Sequence, residues 1–271
     1  MSVKVGLDIG GSTTKIVAMK AGKIVASEVV KAADPVTSAY GALGKLMNDN
    51  NYSLDDIKQV NVTGVGAGFP QGPLLGLKTV EVSEFIATGL GGLYLSELDD
   101  AVVVSMGTGT AYLHANGDKV EHIIGSGVGG GTIVGLCNSM IGIDDAIKLS
   151  EIADEGNILK VDLTIGDITN AEIPGLPMNI TASNFGKNAD DLSREDKAIG
   201  IFNLVYQSIG TVAVLASRSC GLKDIVFTGQ LTHFKQCKEV LDAFSKLYNV
   251  NCIVPEMSVY ATAVGACLAE D

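Results

Sequence analysis

The chain has 271 residues, 46% of them hydrophobic and 18% charged, which excludes a disordered chain and fits one large or two medium domains. The formal net charge of −12 argues against nucleic acid or an anionic membrane surface as a partner. Five widely spaced cysteines without a C-x-x-C pair argue against a zinc site or a disulfide framework. The sequence shows no signal peptide or long apolar stretch, so we expect a cytoplasmic protein with no membrane partner.

The first third of the chain is predicted to alternate between strands and helices. Apolar runs predict strands over 3–9, 14–20, 24–30, 60–63 and 79–82. Asp34 and Pro35 provide an N-cap and a first helical residue, so a helix is predicted from there to about residue 47. A second helix is predicted from Ser83 to about residue 95. The intervening segment 64–76 is rich in glycine and proline and is predicted to be a loop, either mobile or inert.

The same order of elements restarts after residue 98. Strands are predicted over 101–105, 111–114, 120–124, 225–228 and 252–254, and a second glycine-rich loop over 125–131. Helices are predicted from about residue 132, then over 144–154, 194–219, 234–247 and 259–268. This repetition predicts two α/β domains, residues 1–98 and 99–271, separated by a cleft, with the last helix able to pack back on the first domain.

Two glycine-hydroxyl turns, 8–15 and 105–110, each follow a hydrophobic strand and precede a hairpin. Gly10 and Gly107 are 97 residues apart, and the glycines of the two hairpin turns, Gly22 and Gly117, are 95 residues apart. Glycine allows close approach of the backbone to a polyphosphate, and successive N–H groups form an anion site. Lys15 adds a positive charge, and Asp8 can hold hydrated Mg²⁺. The repetition favours a duplicated phosphate-binding hairpin over two ordinary hairpin turns.

These motifs resemble those of the acetate and sugar kinase, Hsp70 and actin superfamily and, within it, the type II pantothenate kinases. The likeness covers nearly the whole chain and rests on the segments 8–15, 83–85, 106–110, 125–132, 135–136, 181–187, 226–229 and 263–266. The triple glycine and the Ser-Asn-Phe-Gly segment are its most specific parts. The resemblance implies a two-domain, actin-like, ribonuclease H-like duplicated fold with an interdomain nucleotide cleft. It also implies ATP-dependent phosphorylation of the primary hydroxyl of pantothenate, the first step of coenzyme A biosynthesis.

The resemblance further implies a set of site residues. The ATP-binding residues would be Asp8, Gly10, Gly11, Ser12, Thr13, Lys15, Gly107, Thr108, Gly109, Gly129, Gly130, Gly131, Asn184, Gly186 and Gly229, with Asp8 also beside Mg²⁺. Glu84 matches the catalytic glutamate of the family, although it could serve only as a favourable charge in the first turn of a helix. Glu81 is a weaker alternative base. Thr108 would contact the acceptor, or could be a turn hydroxyl on the phosphate.

One position departs from the family pattern. The family has an arginine that engages pantothenate before the triple-glycine loop, and the aligned residue here is His122. Imidazole does not replace the five fixed donors of guanidinium, so His122 could bind substrate differently, leave the role to Lys119 or Lys187, or be structural. The family also implies a homodimer. Three other functions stay open: an N-acetylhexosamine-type kinase, an ATPase activator similar to those of 2-hydroxyacyl-CoA dehydratases, and an inactive nucleotide sensor.

Overall fold

Two five-stranded sheets with the same arrangement form the frame of the protein. The computed structural model describes residues 2–31, 34–69, 72–171, 173–187 and 189–270. The first half contains β1 (Val3–Ile9), β2 (Thr13–Lys20), β3 (Lys23–Lys31), α1 (Pro35–Asn50), β4 (Ile57–Thr63), β5 (Thr79–Glu81) and α2 (Glu84–Ser96). Its sheet has the strand order β3-β2-β1-β4-β5, with β2 antiparallel and β4 parallel to β1. The carboxyl ends of the parallel strands therefore share one edge of the sheet.

Local sequence explains the first hairpin and the first helix. The β2–β3 turn places Ala21 and Gly22 at φ of 50° and 76°, the left-handed conformation that tight hairpin turns require. The Asp34 carboxylate accepts a hydrogen bond from the Thr37 N–H at 2.7 Å and caps α1. Leu43 and Leu46 of α1 are fully buried against the strands, in the core cluster that also contains Leu7.

The second half repeats this pattern with insertions. It contains β6 (Asp100–Met106), β7 (Thr110–Asn116), β8 (Lys119–Ser126), α3 (Gly130–Ile141), α4 (Ala146–Asp154), β9 (Leu163–Thr164), α5 (Ile165–Ile168), β10 (Thr181–Ser183), α6 (Arg194–Ser219), β11 (Asp224–Thr228), α7 (Lys235–Tyr248), β12 (Asn251–Ile253) and α8 (Ala261–Leu268). Its main sheet has the order β12-β11-β6-β7-β8, which read backwards matches the first sheet. The predicted duplicated α/β fold is confirmed, whereas the domain boundary at residue 98 stays a prediction.

The structure differs from the predicted elements in some of their bounds and in three small elements. β4 begins at Ile57 instead of residue 60, and the helix after the triple glycine begins at Gly130 instead of residue 132. The last helix begins at Ala261, because Ser258–Tyr260 forms a 3₁₀ turn before it. The small elements β9, α5 and β10 were not predicted, since strands of two or three residues have no readable periodicity.

The last helix of each half, α2 or α8, packs against the sheet of the other half. Leu93 of α2 packs in a cluster with Val103 and Leu113 of the second sheet, whereas Val264 of α8 packs with Val17 of the first. The two helices cross at very short range, and the crossing is possible only because glycines line it. A Cβ on Gly265 would lie 1.6 Å from the carbonyl oxygen of Ala87, and its clash is with backbone, not with a flexible side chain.

The longest helix, α6, packs in the core of the second half. By length and composition alone it could cross a membrane, and it is the single such helix among the described residues. Its fully buried side chains include Ile201, Phe202 and Val205, which pack in one cluster with residues of β6, β11, α3 and α7. Core packing therefore accounts for its hydrophobicity.

Candidate active site

A buried ion pair lies at the carboxyl end of β1. Asp8 and Lys15 are directly opposite each other on the antiparallel strands β1 and β2, and the Lys15 Nζ is 3.5 Å from the Asp8 Oδ2. Both residues are at most 9% exposed. Burial raises the pKa of Asp8, while the positive charge and hydrogen bond of Lys15 oppose that rise. The Asp8 carboxylate has a single cationic partner, so its oxygens can still bind a second cation.

The surroundings of Asp8 fit a hydrated magnesium ion. Thr63 is next to Asp8 on the parallel strand β4, and its fully buried hydroxyl has no hydrogen-bond partner among the described residues. Gly64 follows with φ of 91°, and a Cβ there would lie 2.6 Å from the Asp8 Oδ1. The part of the chain that the structure describes has no cluster of three or more acidic, histidine or cysteine ligands. A single carboxylate is nonetheless how Mg²⁺ is commonly held when phosphates complete its shell.

Glu84 is electrostatically coupled to this ion pair. It is the first residue of α2, separated from the end of β5 by two residues, and it is exposed to solvent. Partial desolvation raises its pKa, the negative charge of Asp8 raises it further, and Lys15 lowers it. Asp8, Lys15 and Glu84 therefore form one electrostatically coupled group, in which a carboxyl group with a raised pKa is influenced by both members of the buried ion pair.

The two glycine turns differ in how many of their N–H groups are free. In the first turn, the N–H groups of Gly10, Gly11 and Ser12 donate no hydrogen bond to any described residue. In the second turn, the Gly107 N–H donates to the Gly109 carbonyl at 2.9 Å. The Gly130 N–H is also used, because it donates to the Gly107 carbonyl at 2.9 Å. The first turn is consequently the better backbone cradle for an anion.

The second turn is instead the centre of a glycine-packed junction. A Cβ on Gly129 would lie 2.6 Å from the Thr108 carbonyl oxygen, and one on Gly109 would lie 2.8 Å from the Ser126 oxygen. Gly229 packs on the end of β6, with φ of 92° and 2.6 Å between its Cβ position and the Met106 oxygen. Glycines are required here for close contact between backbone segments.

A stacked pair of rings lies next to Glu84. The rings of Phe85, on the first turn of α2, and His122, on the edge strand β8, have centroids 4.5 Å apart and planes 11° apart. Both side chains are exposed, Phe85 by 43%. The stack joins the helix that begins with Glu84 to the sheet of the other half.

The Ser-Asn-Phe-Gly segment is organised around a buried carboxylate. Asp162, 1% exposed, accepts hydrogen bonds from the Asn184 side chain at 3.0 Å, the Phe185 N–H at 2.9 Å and the Asn203 side chain at 2.6 Å. Gly186 packs on this segment, since its Cβ would lie 2.8 Å from the Cβ of Ser183. The amide nitrogen of Asn184 is thus committed to Asp162, and its predicted contact with the nucleotide stays a prediction.

The structure places the predicted site residues in four groups. Asp8, Gly10, Gly11, Ser12, Thr13, Lys15 and Glu84 belong to the first half; Gly107, Thr108, Gly109, Gly129, Gly130, Gly131 and Gly229 form the glycine junction; Asn184 and Gly186 surround Asp162; His122 stacks on Phe85. Sequence reasoning assigned no role to Thr63, Phe85 or Asp162. The position of Thr63 at the carboxyl end of a strand beside β1 was a usable signal, because ligands bind at that edge of parallel sheets.

Two solved structures share the fold of this chain. Component A of (R)-2-hydroxyglutaryl-CoA dehydratase from Acidaminococcus fermentans superposes with a TM-score of 0.69 at 18% identity, covering 99% of this chain and 97% of that one. A ROK family glucokinase from Streptomyces griseus, in complex with glucose and AMPPNP, gives a TM-score of 0.61 at 13% identity and covers 98% of both chains. The predicted actin-like, duplicated fold is therefore confirmed.

Sequence comparison then identifies the family. The family model described as Fumble matches residues 99–269, so the chain belongs to the Fumble family. The type II pantothenate kinase of Bacillus cereus is 27% identical over 281 aligned residues, covering 99% of this chain and 98% of the relative. Pantothenate kinase 1 of Oryza sativa subsp. japonica is 34% identical over 202 residues, covering 70% of this chain and 28% of that protein. The predicted resemblance to type II pantothenate kinases is confirmed.

Proposed function

We propose that this protein is a kinase that transfers the γ-phosphoryl group of ATP to the primary hydroxyl of pantothenate. The observation that carries the proposal is the coupling of Glu84 to the buried Asp8–Lys15 pair beside a turn with free N–H groups. Family membership and full-length relatives named type II pantothenate kinase support the acceptor. The dehydratase component has a similar fold, but at 18% identity that likeness extends to the fold alone.

The first glycine turn, Lys15, Glu84 and the glycine junction each have a distinct role in this mechanism. The N–H groups of Gly10, Gly11 and Ser12 bind the terminal phosphates of ATP, and Lys15 neutralises charge on their oxygens. Glu84 orients the acceptor hydroxyl and accepts its proton at a carboxylate oxygen. The glycine junction fixes the position of Gly129–Gly131, along whose backbone the nucleotide lies.

Magnesium belongs to the same proposal. Asp8 would hold the ion through its carboxylate, with the orphan Thr63 hydroxyl available to a water of its hydration shell. When bound, the ion supplies charge neutralisation to the phosphoryl group that is transferred.

A direct assay tests the proposed reaction. Purified protein is incubated with ATP, MgCl₂ and pantothenate, and ADP release and phosphopantothenate are both quantified. We expect the two products in equal amounts and none without magnesium. ADP release without a phosphorylated acceptor would contradict a kinase and favour an ATPase, while a screen of amino sugars in the same assay tests the hexosamine alternative.

The raised pKa of Glu84 predicts how the kinase activity falls at acidic pH. Because Glu84 must be ionised to accept a proton, kcat/KM for pantothenate should fall as pH decreases through its raised pKa, above the ordinary glutamate value of 4.5. The loss should approach tenfold per pH unit. Circular dichroism at each pH controls for unfolding, and an acid limb at or below the ordinary value would refute the assigned coupling.

We also propose a cytoplasmic homodimer. The family resemblance is what supports the dimer, and Leu215 of α6, 58% exposed, is a side chain that an interface on this helix would cover. Light scattering coupled to gel filtration measures the mass, and a monomer would refute this part of the proposal.

A further inference from the structure

We infer that the hydrogen bond between Thr88 and Thr262 sets the position of α2 along α8, and thereby the place of Glu84 relative to Asp8. Both threonines are positioning residues, because they act on the reaction through the packing of two helices and not by touching substrate. This inference rests on the proposed kinase function, in which Glu84 is the base.

The two helices meet through the same short motif. Residues 87–91 of α2 and 261–265 of α8 both have the pattern Ala-Thr-x-x-Gly, and corresponding positions are 174 residues apart. Their contacts are reciprocal, because a Cβ on the glycine of either motif would overlap the carbonyl oxygen of the alanine in the other. Such a contact, in which each side repeats what the other does, is the kind that a two-fold axis produces.

The threonines of the two motifs bond to each other at this crossing. The Oγ1 atoms of Thr88 and Thr262 are 2.9 Å apart, and Thr88 is 2% exposed. Alanine and glycine have no side chain that could interlock across the crossing, so the hydroxyl pair supplies a directional contact there. A slide of α2 along α8 by about 1 Å would stretch this pair beyond hydrogen-bonding distance.

The helix α8 is in turn fixed to the strand that carries Asp8. Gly6 of β1 packs so closely on α8 that a Cβ there would overlap the Ala263 carbonyl oxygen. Gly6 and Asp8 are two residues apart in a strand and therefore face the same side of the sheet. The Lys4 Nζ adds a hydrogen bond to the Ala269 carbonyl at 2.7 Å. The position of α8 relative to Asp8 is thus set by contacts with β1.

The helix α2 transmits this position to Glu84. Glu84 precedes Thr88 by one helical turn, so the two side chains lie on the same face of α2. A displacement of the helix at Thr88 therefore displaces Glu84 by a similar distance. Because a misplacement of about 1 Å can cost about 100-fold in rate, the threonine pair is close enough to the proposed base to control the chemical step.

Valine substitutions separate positioning from stability. Thr88→Val and Thr262→Val each remove one hydroxyl and keep the shape of the side chain, whereas the double variant leaves no hydroxyl unpaired at the crossing. Thr88→Ser keeps the hydroxyl. The matched control is Ser217→Ala, which removes a fully buried hydroxyl that donates to the Leu222 carbonyl at 2.6 Å, outside the proposed site. We measure kcat, KM for ATP and pantothenate, and Tm for each variant.

We expect each single valine variant to lower kcat about 10–100-fold. KM for ATP should stay near wild type, since the first glycine turn binds the phosphates. Tm should fall more in Thr262→Val than in Thr88→Val, because the hydroxyl that it leaves unpaired is the more buried of the two.

The double variant gives the sharpest contrast. It should recover Tm, because an apolar pair of the same shape replaces the hydrogen-bonded one, but it should not recover kcat, because the directional contact is still missing. Thr88→Ser should keep kcat near wild type. Ser217→Ala should lower Tm and leave kcat unchanged.

Two results would overturn the inference while leaving the kinase intact. One is a wild-type kcat in Thr88→Val, and the other is recovery of kcat together with Tm in the double variant, which would make the pair purely structural. Thr88→Val and the double variant decide the question even if Thr262→Val does not fold, and circular dichroism shows which variants are folded. A wild-type protein that phosphorylates no acceptor would instead defeat the proposed function itself, and this inference with it.

Discussion

Replacing Glu84 with glutamine is expected to lower kcat with pantothenate by about 10²–10⁴-fold, the usual contribution of a general base. The carboxamide has nearly the same shape and can still accept a hydrogen bond from the acceptor hydroxyl, but it does not take up the proton. KM for ATP should change little, because the phosphates are bound by the first glycine turn and Lys15. Steady-state kinetics with each substrate varied in turn measures both quantities.

Two further variants make this result specific to Glu84. Glu97→Gln makes the same change at the C-cap of the same helix, in an exposed position, and should retain wild-type kinetics. Glu81→Gln tests the alternative base at the end of β5. A larger loss in Glu81→Gln than in Glu84→Gln would transfer the role to Glu81. The residual activity of Glu84→Gln should also lack the acid limb of the wild-type profile.

Gly265→Ala is expected to be the most destabilising single substitution at the helix crossing. Its Cβ would lie 1.6 Å from the Ala87 carbonyl oxygen and 2.6 Å from the Gly91 backbone nitrogen, and neither atom can move without separating α2 from α8. Overpacking of this kind costs about 1–3 kcal/mol, and more when backbone must shift. For a chain of this size, 3 kcal/mol corresponds to a fall of about 6–12 °C in Tm.

The control for this substitution is Gly44→Ala in α1. A Cβ at Gly44 meets no atom within 4 Å, so the change only replaces a poor helix former with a good one. It should raise the free energy of unfolding by up to about 1 kcal/mol. Differential scanning calorimetry of both variants measures the contrast. A Tm for Gly265→Ala within a degree or two of wild type would mean that the helices do not cross as closely as described.

The parts of this fold that were predictable have local sequence signatures. Each hairpin is encoded by a short glycine turn between two apolar runs, as at Gly22 and Gly117, so both three-stranded units could be read from the chain. The long helix α6 was predicted with its observed bounds, because Ser193 caps it and Asp196 completes a capping box.

The remaining features depend on contacts between distant residues. The crossing of α2 with α8 joins Ala87 to Gly265, and the stack joins Phe85 to His122. Neither contact leaves a periodic pattern in the sequence. The hydrophobic pattern of a helix shows that one face is buried, but it does not show which sheet covers that face. The commitment of the Asn184 amide to Asp162 was equally invisible, because a lone aspartate reads as an ordinary turn or surface residue. The coupling of Asp8 to Glu84 became apparent only once both strands and α2 were in place.

The crossed terminal helices make the two copies of the repeat mutually dependent. Lys4, at the start of the strand that carries Asp8, donates a hydrogen bond to the Ala269 carbonyl at 2.7 Å, and the Asn61 side chain donates to the Ala266 carbonyl at the same distance. Fraying of the last helix would therefore uncover the strand on which the proposed metal ligand sits. Substitutions that destabilise α8 should therefore lower activity although none of its residues has a proposed contact with substrate.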